Sequence, residues 1–157
     1  MVDRINVIVG DIGKVEHQQA MLTQLNLYMR DPMGGQGKLT DGIARQVIDG
    51  LLVQPNYVLF LALCNGEYVG VANCFVNFST FKGKQLINIH DFSVSPTFRG
   101  KGIGQAMMEK IFEYAVENKF CKVNLEVRED NIKARSLYLK MGFKECNPVM
   151  DFWERVL

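Results

Sequence analysis

The chain has few cysteines, and none are spaced as a redox or zinc motif. Cys64, Cys74, Cys121 and Cys146 form no C-x-x-C pair, and the two histidines, His17 and His90, complete no zinc pattern with them. No metal is expected, and the thiols read as buried and reduced, because free cysteine packs as a small hydrophobe. A hairpin turned at Asn65-Gly66 sets Cys74 opposite Tyr57, too far from Cys64 for a disulfide. An excess of either charge is also missing. The 18 Lys+Arg against 17 Asp+Glu leave a net charge of +1, which excludes a general nucleic-acid or anionic-membrane binder. Lys82, Lys84, Arg99 and Lys101 are too few, and not interleaved with stacking aromatics, to suggest a nucleic-acid partner. Any anion site must be local.

Long apolar runs are lacking as well. The densest, Tyr57 to Cys64, is too short to cross a membrane, and Met1-Val2-Asp3-Arg4 does not open a secretory signal. A cytoplasmic protein with no membrane partner is expected. No internal repeat, linker or low-complexity segment is visible, and 157 residues, 48% of them hydrophobic, suit one domain over 1–157.

Periodicity supplies the elements. Ile5, Val7 and Val9 alternate as a first strand, and Met21, Leu22, Leu25 and Met29 recur at helical steps between about Lys14 and Met29. Asp31-Pro32 stops that helix. The glycine-rich stretch Asp31 to Gly37 reads either as a mobile pocket rim or as a plain connector to a second helix through Ile43, Val47, Ile48, Leu51 and Leu52, capped by Thr40 or Asp41. Tyr57 to Cys64, Glu67 to Phe78 and Leu86 to Val94 read as a meander turned at Asn65-Gly66 and near Lys82-Gly83-Lys84. A helix bearing Ile103, Met107, Ile111 and Ala115 leads to a strand over Cys121 to Val127, so strand, helix and strand form a parallel unit. A last helix runs from Asn131 to Met141 and ends at Gly142. Phe143 to Cys146 and Val149 to Val156 read as two terminal strands. The sum is an α/β (α+β) chain with a mixed sheet of about seven strands flanked by four helices.

The informative stretch is Val94 to Gln105, where a strand ends, three glycines and two cations follow, and a helix begins. Unpaired N–H groups at such a helix start, with the helix dipole behind them, suit a phosphate. A triphosphate-binding P-loop needs Ser or Thr after its lysine, but Gly102 follows Lys101. The dinucleotide fingerprint fails too, because its third glycine would fall at Gln105 or Met107.

Arg99-Gly100-Lys101-Gly102-Ile103-Gly104 fits [Q/R]-x-x-G-x-[G/A], the acetyl-coenzyme A signature of the GNAT superfamily of N-acetyltransferases. Asn131-x-x-Ala134-x-x-Leu137-Tyr138-x-x-x-Gly142-Phe143 resembles that family's second signature, and the order of elements is similar from end to end. The resemblance implies acetyl-coenzyme A as co-substrate. It implies that Gly100, Gly102, Ile103 and Gly104, with Arg99 and Lys101, wrap the pyrophosphate, while Asn131 bonds the pantetheine or caps its own helix. It further implies that main-chain N–H groups near Phe92 to Val94 meet the oxyanion, and that Tyr138 protonates the departing thiolate. Tyr138 also lies on the apolar stripe of its helix, as a core tyrosine would.

Acetyl transfer to an amine needs the amine neutral, and an alkyl ammonium with a pKa of about 10.4 leaves only about one molecule in a thousand neutral near pH 7.4. Strict alternation along Leu86 to Val94 puts Asn88, His90, Phe92 and Val94 on one face and Ile87, Ile89, Asp91 and Ser93 on the other. His90 suits a base acting through water, or equally a hydrogen-bonded strand histidine. Asp91 would orient or anchor the strand, and Glu126 is a second candidate base or substrate contact. Asn77-Phe78-Ser79-Thr80-Phe81 with His90-Asp91 resembles the family's polyamine and diamine branch, although that branch commonly has glutamate where His90 stands. Asp31, Phe78, His90 and Glu126 are therefore the expected acceptor contacts. The expected function is acetyl transfer to a primary amine of a small molecule. The alternatives are a non-catalytic acetyl-coenzyme A sensor and a transferase acting on a protein or peptide amine. A homodimer through the terminal strands is a further expectation.

Overall fold

A computed structural model describes residues 2–35 and 37–157; Met1 and Gln36 lie outside the described residues. Five strands, β1 (Ile5–Val9), β2 (Tyr57–Cys64), β3 (Glu67–Ser79), β4 (Lys84–Val94) and β5 (Val123–Leu125), form one sheet in the order β1-β2-β3-β4-β5. β1 to β4 are antiparallel neighbours and β5 joins β4 in parallel. The helices are α1 (Val15–Arg30), α2 (Asp41–Leu52), α3 (Ile103–Glu117) and α4 (Ile132–Lys140), with a 3-10 turn at Pro96–Phe98. Among the described residues no helix is long and apolar enough to cross a membrane.

Alternating strands bury side chains on both faces of the sheet, so the core has two halves. Phe60, Ala72, Cys74, Ile87 and Ile89 meet Met107, Ile111 and Tyr138 on the face covered by α3 and α4. Leu59, Leu61 and Val71 meet Ala20 and Met21 of α1 on the other, where Val47, Ile48 and Leu51 of α2 add a half-buried edge. α1 is pinned over the end of β4 by a buried chain: Ser95 Oγ donates to Gln24 Oε1 (2.8 Å), and Gln24 Nε2 donates to the Tyr68 carbonyl (2.9 Å). That tether holds Tyr28, one turn on, beside the functional end of the sheet.

Two bulges correct the expected registers. In the β2–β3 hairpin the pairing passes from Leu63↔Tyr68 to Ala62↔Gly70, so Val69 is extra and Cys74 lies opposite Val58 rather than Tyr57. All four cysteines are free, but only Cys64 and Cys74 are buried; Cys121 is half-buried and Cys146 exposed. In β4 the pairing passes from Cys74↔Ile89 to Asn73↔Asp91, which makes His90 the extra residue. Strict alternation therefore fails. Phe92 and Val94 join Ile87 and Ile89 on the α3 face, while Asp91 pairs across the opposite face with Asn73.

Among the described residues the sheet has five strands rather than about seven. β5 covers three residues rather than Cys121 to Val127, because its ladder ends at Ile89↔Leu125, where the His90 bulge turns β4 away. Residues 143–157 form no strand. With so short a β5 beside them they gain no ladder, and Val149, Phe152, Trp153 and Val156 stay exposed. The expected dimer contact through terminal strands thus loses its structural basis.

Candidate active site

Parting of β4 and β5 beyond Ile89↔Leu125 opens a cavity of about 700 Å³ between them. One end is built by the turn before α3 and by α4. Gly100 and Gly102 have φ of 78° and 82°, a left-handed backbone that glycine adopts without strain. Gly102 caps α3 with no side-chain bond, so the first N–H groups of that helix lack an intrahelical partner. Gly104 acts by packing instead: a Cβ there would lie 3.1 Å from Leu137 Cδ2, so glycine lets α3 approach α4 closely. Asn131 caps α4, its Oδ1 accepting from the Ala134 N–H (3.2 Å), which leaves its amide N–H groups for another partner. Beyond α4, the Phe143 N–H bonds the Tyr138 carbonyl (2.9 Å) over the left-handed Gly142, closing the helix.

Tyr138 is both a core and a cavity residue. It is 8% exposed, packs edge-on to Phe92 with ring centroids 6.1 Å apart, and lines the cavity. Burial, with the nearby Tyr28 adding to it, pushes its phenol up to about 12, so it is protonated at neutral pH. Arg99 reaches back along β4. Its Nε donates to the Val94 carbonyl (2.9 Å), which shows that this carbonyl faces the gap rather than β3. Because the N–H and C=O of a strand residue point to the same side and alternate, the N–H groups of Phe92 and Val94 also face the gap.

The other end of the cavity is lined by Tyr28, Asp31, Met33, His90, Glu126 and Arg128. The His90 ring packs edge-on to Phe75, with centroids 5.7 Å apart. Behind it, the Tyr57 hydroxyl donates to Asn73 Oδ1 (2.7 Å) and Asn73 Nδ2 donates to Asp91 Oδ2 (2.9 Å). Burial, then the Cys74 and Asp91 charges, push the Tyr57 phenol upward, and burial with Asp91 does the same to the Cys74 thiol. Tyr28 is raised by burial first, then by Asp91 and Asp31, against a lowering by Arg128. Each Asp31 carboxylate oxygen accepts one bond: Oδ1 from the Met33 N–H (3.0 Å) and Oδ2 from Arg99 Nη2 (2.8 Å). Burial opposes its ionisation, but those bonds and the charges of Arg99 and Lys133 outweigh it, and its carboxyl lies below its ordinary value.

Of the residues read from the sequence, His90, Phe92, Val94, Arg99, Gly100, Gly102, Ile103, Gly104, Glu126, Asn131, Tyr138 and Asp31 all line this one cavity. Three are placed otherwise. Asp91 stands behind the wall on Asn73. Phe78 is 61% exposed and outside the lining. The Lys101 ammonium turns to Asp3 (3.0 Å) and over the Phe98 ring, outside the lining. Tyr28, Met33, Arg128 and Lys133 line the cavity and were missed. Tyr28 stands three residues after Leu25 on the helical stripe, and Arg128 two after Glu126, so periodicity could have found both. Among the described residues no cluster of His, Cys, Asp and Glu could hold a metal ion.

Comparison with known proteins agrees with this architecture. Residues 24–143 match the model of the acetyltransferase (GNAT) family. An uncharacterized N-acetyltransferase of Archaeoglobus fulgidus is 42% identical over 95 residues, covering 60% of this chain and 65% of that protein, so the match spans just under two thirds of its relative. A crystal structure of a probable acetyltransferase superposes with a TM-score of 0.81 at 18% identity, covering 98% of each chain. An aminoglycoside acetyltransferase from an uncultured soil metagenomic sample superposes with a TM-score of 0.78 at 22% identity, covering 98% of this chain and 99% of its own. The glycine turn, the gap between β4 and β5 and these likenesses together place the chain in the GNAT family of acetyltransferases.

Proposed function

We propose that the chain moves an acetyl group from acetyl-coenzyme A to a primary amine of a small molecule by direct attack. The observation that carries this reading is the gap starting at the His90 bulge, which brings the outward N–H groups of Phe92 and Val94 and the Tyr138 phenol to one cavity. The glycine turn fits a pyrophosphate. A Cβ at Gly100 or Gly102 would meet nothing within 4 Å, so both turn positions border open space, and the start of α3 favours negative charge. Arg99 lines the same end as a cation. The Asn131 amide N–H groups, left over from the α4 cap, bond the pantetheine arm in this reading.

The thioester supplies the acetyl group and a thiolate leaving group. His90, through a water, takes the proton that the amine nitrogen loses as nitrogen bonds the carbonyl carbon. The Phe92 and Val94 N–H groups meet the oxygen that gains charge, as preorganised dipoles that need no rearrangement. As the carbon–sulfur bond breaks, the Tyr138 hydroxyl gives its hydrogen bond, and then its proton, to sulfur. Asp91, held by Asn73 and Tyr57, fixes the bulge that aims His90.

Thiol release from acetyl-coenzyme A across an amine panel tests this. The expected result is amine-dependent thiol that Tyr138→Phe and His90→Ala each reduce. Stabilisation of the fold by coenzyme A with no thiol from any amine would replace transfer with sensing, and absence of coenzyme A binding would remove the reading altogether.

A further inference from the structure

We infer that the acceptor carries a carboxylate as well as its amine, and that Arg128 selects it; this rests on the transfer reading above. Four cations, Arg99, Arg128, Lys133 and Lys140, line the cavity against two carboxylates, Asp31 and Glu126. The Asp31 charge is already offset by Arg99, and each of its oxygens accepts one bond, from Arg99 or from the Met33 N–H.

The cations divide between the two ends. Arg99 borders the glycine turn, and Lys140 Nζ bonds Gln105 Oε1 (2.9 Å) on α3, beside the donor's phosphates. Arg128 belongs to the acceptor end. Its Nη1 lies 3.8 Å from where a Cβ on Gly35 would stand, and its charge acts on the Tyr28 phenol. Arg128 is held by Asp130 through Nε (2.9 Å) and Nη2 (2.8 Å), with both side chains about half exposed. An exposed pair of this kind fixes the guanidinium plane at little energetic gain, and it leaves three of the five N–H groups to donate.

A planar guanidinium with spare donors matches a carboxylate in geometry. Glu126, two residues earlier on the same wall, is the counter-charge for an ammonium. One wall thus presents both signs, the pattern that suits an amino acid or a compact amino carboxylate. A phosphate dianion fits less well, because Asp130 and Glu126 already offset the single guanidinium.

The test compares common amino acids with their carboxamides, and with phosphoethanolamine, as acceptors in the thiol-release assay. The free acids should exceed their carboxamides by about tenfold or more in kcat/KM; Arg128→Gln should bring that ratio close to one, and Arg128→Lys should restore part of it. Stabilisation of the fold by coenzyme A should be the same in all three proteins. Equal rates for acid and carboxamide, or a preference for the phosphate compound, would overturn the inference while leaving transfer intact. Thermal shift with coenzyme A present gives a readout independent of turnover. Free acids that stabilise wild type more than Arg128→Gln support the inference even if transfer fails, and equal stabilisation by acids and carboxamides overturns it.

Discussion

The Arg99 guanidinium lies 2.8 Å from the Asp31 carboxylate, joining the glycine turn before α3 to the segment that follows α1. These residues are 68 apart in sequence, and Asp31 is only 10% exposed against 43% for Arg99. The pair links the glycine-turn end of the cavity to the end lined by Tyr28 and His90. It also explains why Gly34 follows so closely: a Cβ there would lie 2.0 Å from the Tyr28 carbonyl, so only glycine lets the segment fold back over α1.

Removing the pair should therefore raise KM for both donor and acceptor. In a double-mutant cycle of Asp31→Asn and Arg99→Gln, urea unfolding should show a coupling of about 0.5–1 kcal/mol, as for a partly exposed ion pair. The pH dependence follows from the lowered Asp31 carboxyl, which makes its ionised form the one favoured by folding. Its contribution is present above the unfolded value of 3.8 and is lost as pH falls through the folded value. The stability gap between wild type and Asp31→Asn should close in acid below that range.

Tyr138→Phe should lower kcat about 100-fold with little change in coenzyme A affinity, because the ring keeps its packing on Phe92 and Phe143 while the proton donor is lost. Folding favours the protonated phenol, so its contribution to stability is present below pH 10 and declines as pH rises through about 12. Phenolate absorbance followed against pH in wild type and Tyr138→Phe checks this; a difference signal appearing near pH 10 would contradict it.

Gly102→Ala should cost about 1 kcal/mol in stability through backbone strain alone, since φ is 82° and no atom crowds the new Cβ. Gly102→Asn should cost less, because asparagine tolerates the left-handed region. Isothermal titration with coenzyme A should show weaker binding for both, as the turn's N–H groups lose their aim.

Asn73→Leu should cost about 1–3 kcal/mol by urea unfolding, since the 4%-exposed amide accepts from Tyr57 and donates to Asp91. Activity should fall further than stability predicts, because the Asp91 support behind His90 goes with it. Tyr57→Phe, which leaves the Asn73–Asp91 bond in place, should lose stability but retain most of its rate.

Much of the architecture was open to reading from local pattern. Helical periodicity located α1, α3 and α4 to within a residue or two, and the Asn65-Gly66 turn located β2 and β3. Spacing alone excluded two phosphate motifs and identified the turn at Gly100, Gly102 and Gly104. These features rest on neighbours in sequence: a helix face repeats every three or four residues, and a left-handed turn requires glycine where it occurs.

What the tertiary structure decided depends on residues far apart in the chain. The bulge at His90 is a property of two strands paired out of step, so it appears in neither alone, yet it reverses the face of every residue after it and ends β5 at Leu125. The same holds for Asp91, which stands behind the cavity wall because Asn73 and Tyr57 hold it there, and for Lys101, whose charge is taken by Asp3. Tyr28 comes to the same cavity as Arg128 because α1 is pinned over β4 through Gln24 and Ser95, and that placement shapes the far end of the cavity. The sequence by itself determined the glycine turn and the helix start after it, because both are local features. The far end of the cavity was left to long-range packing, which brings together side chains whose separation along the chain carries no sign of their proximity.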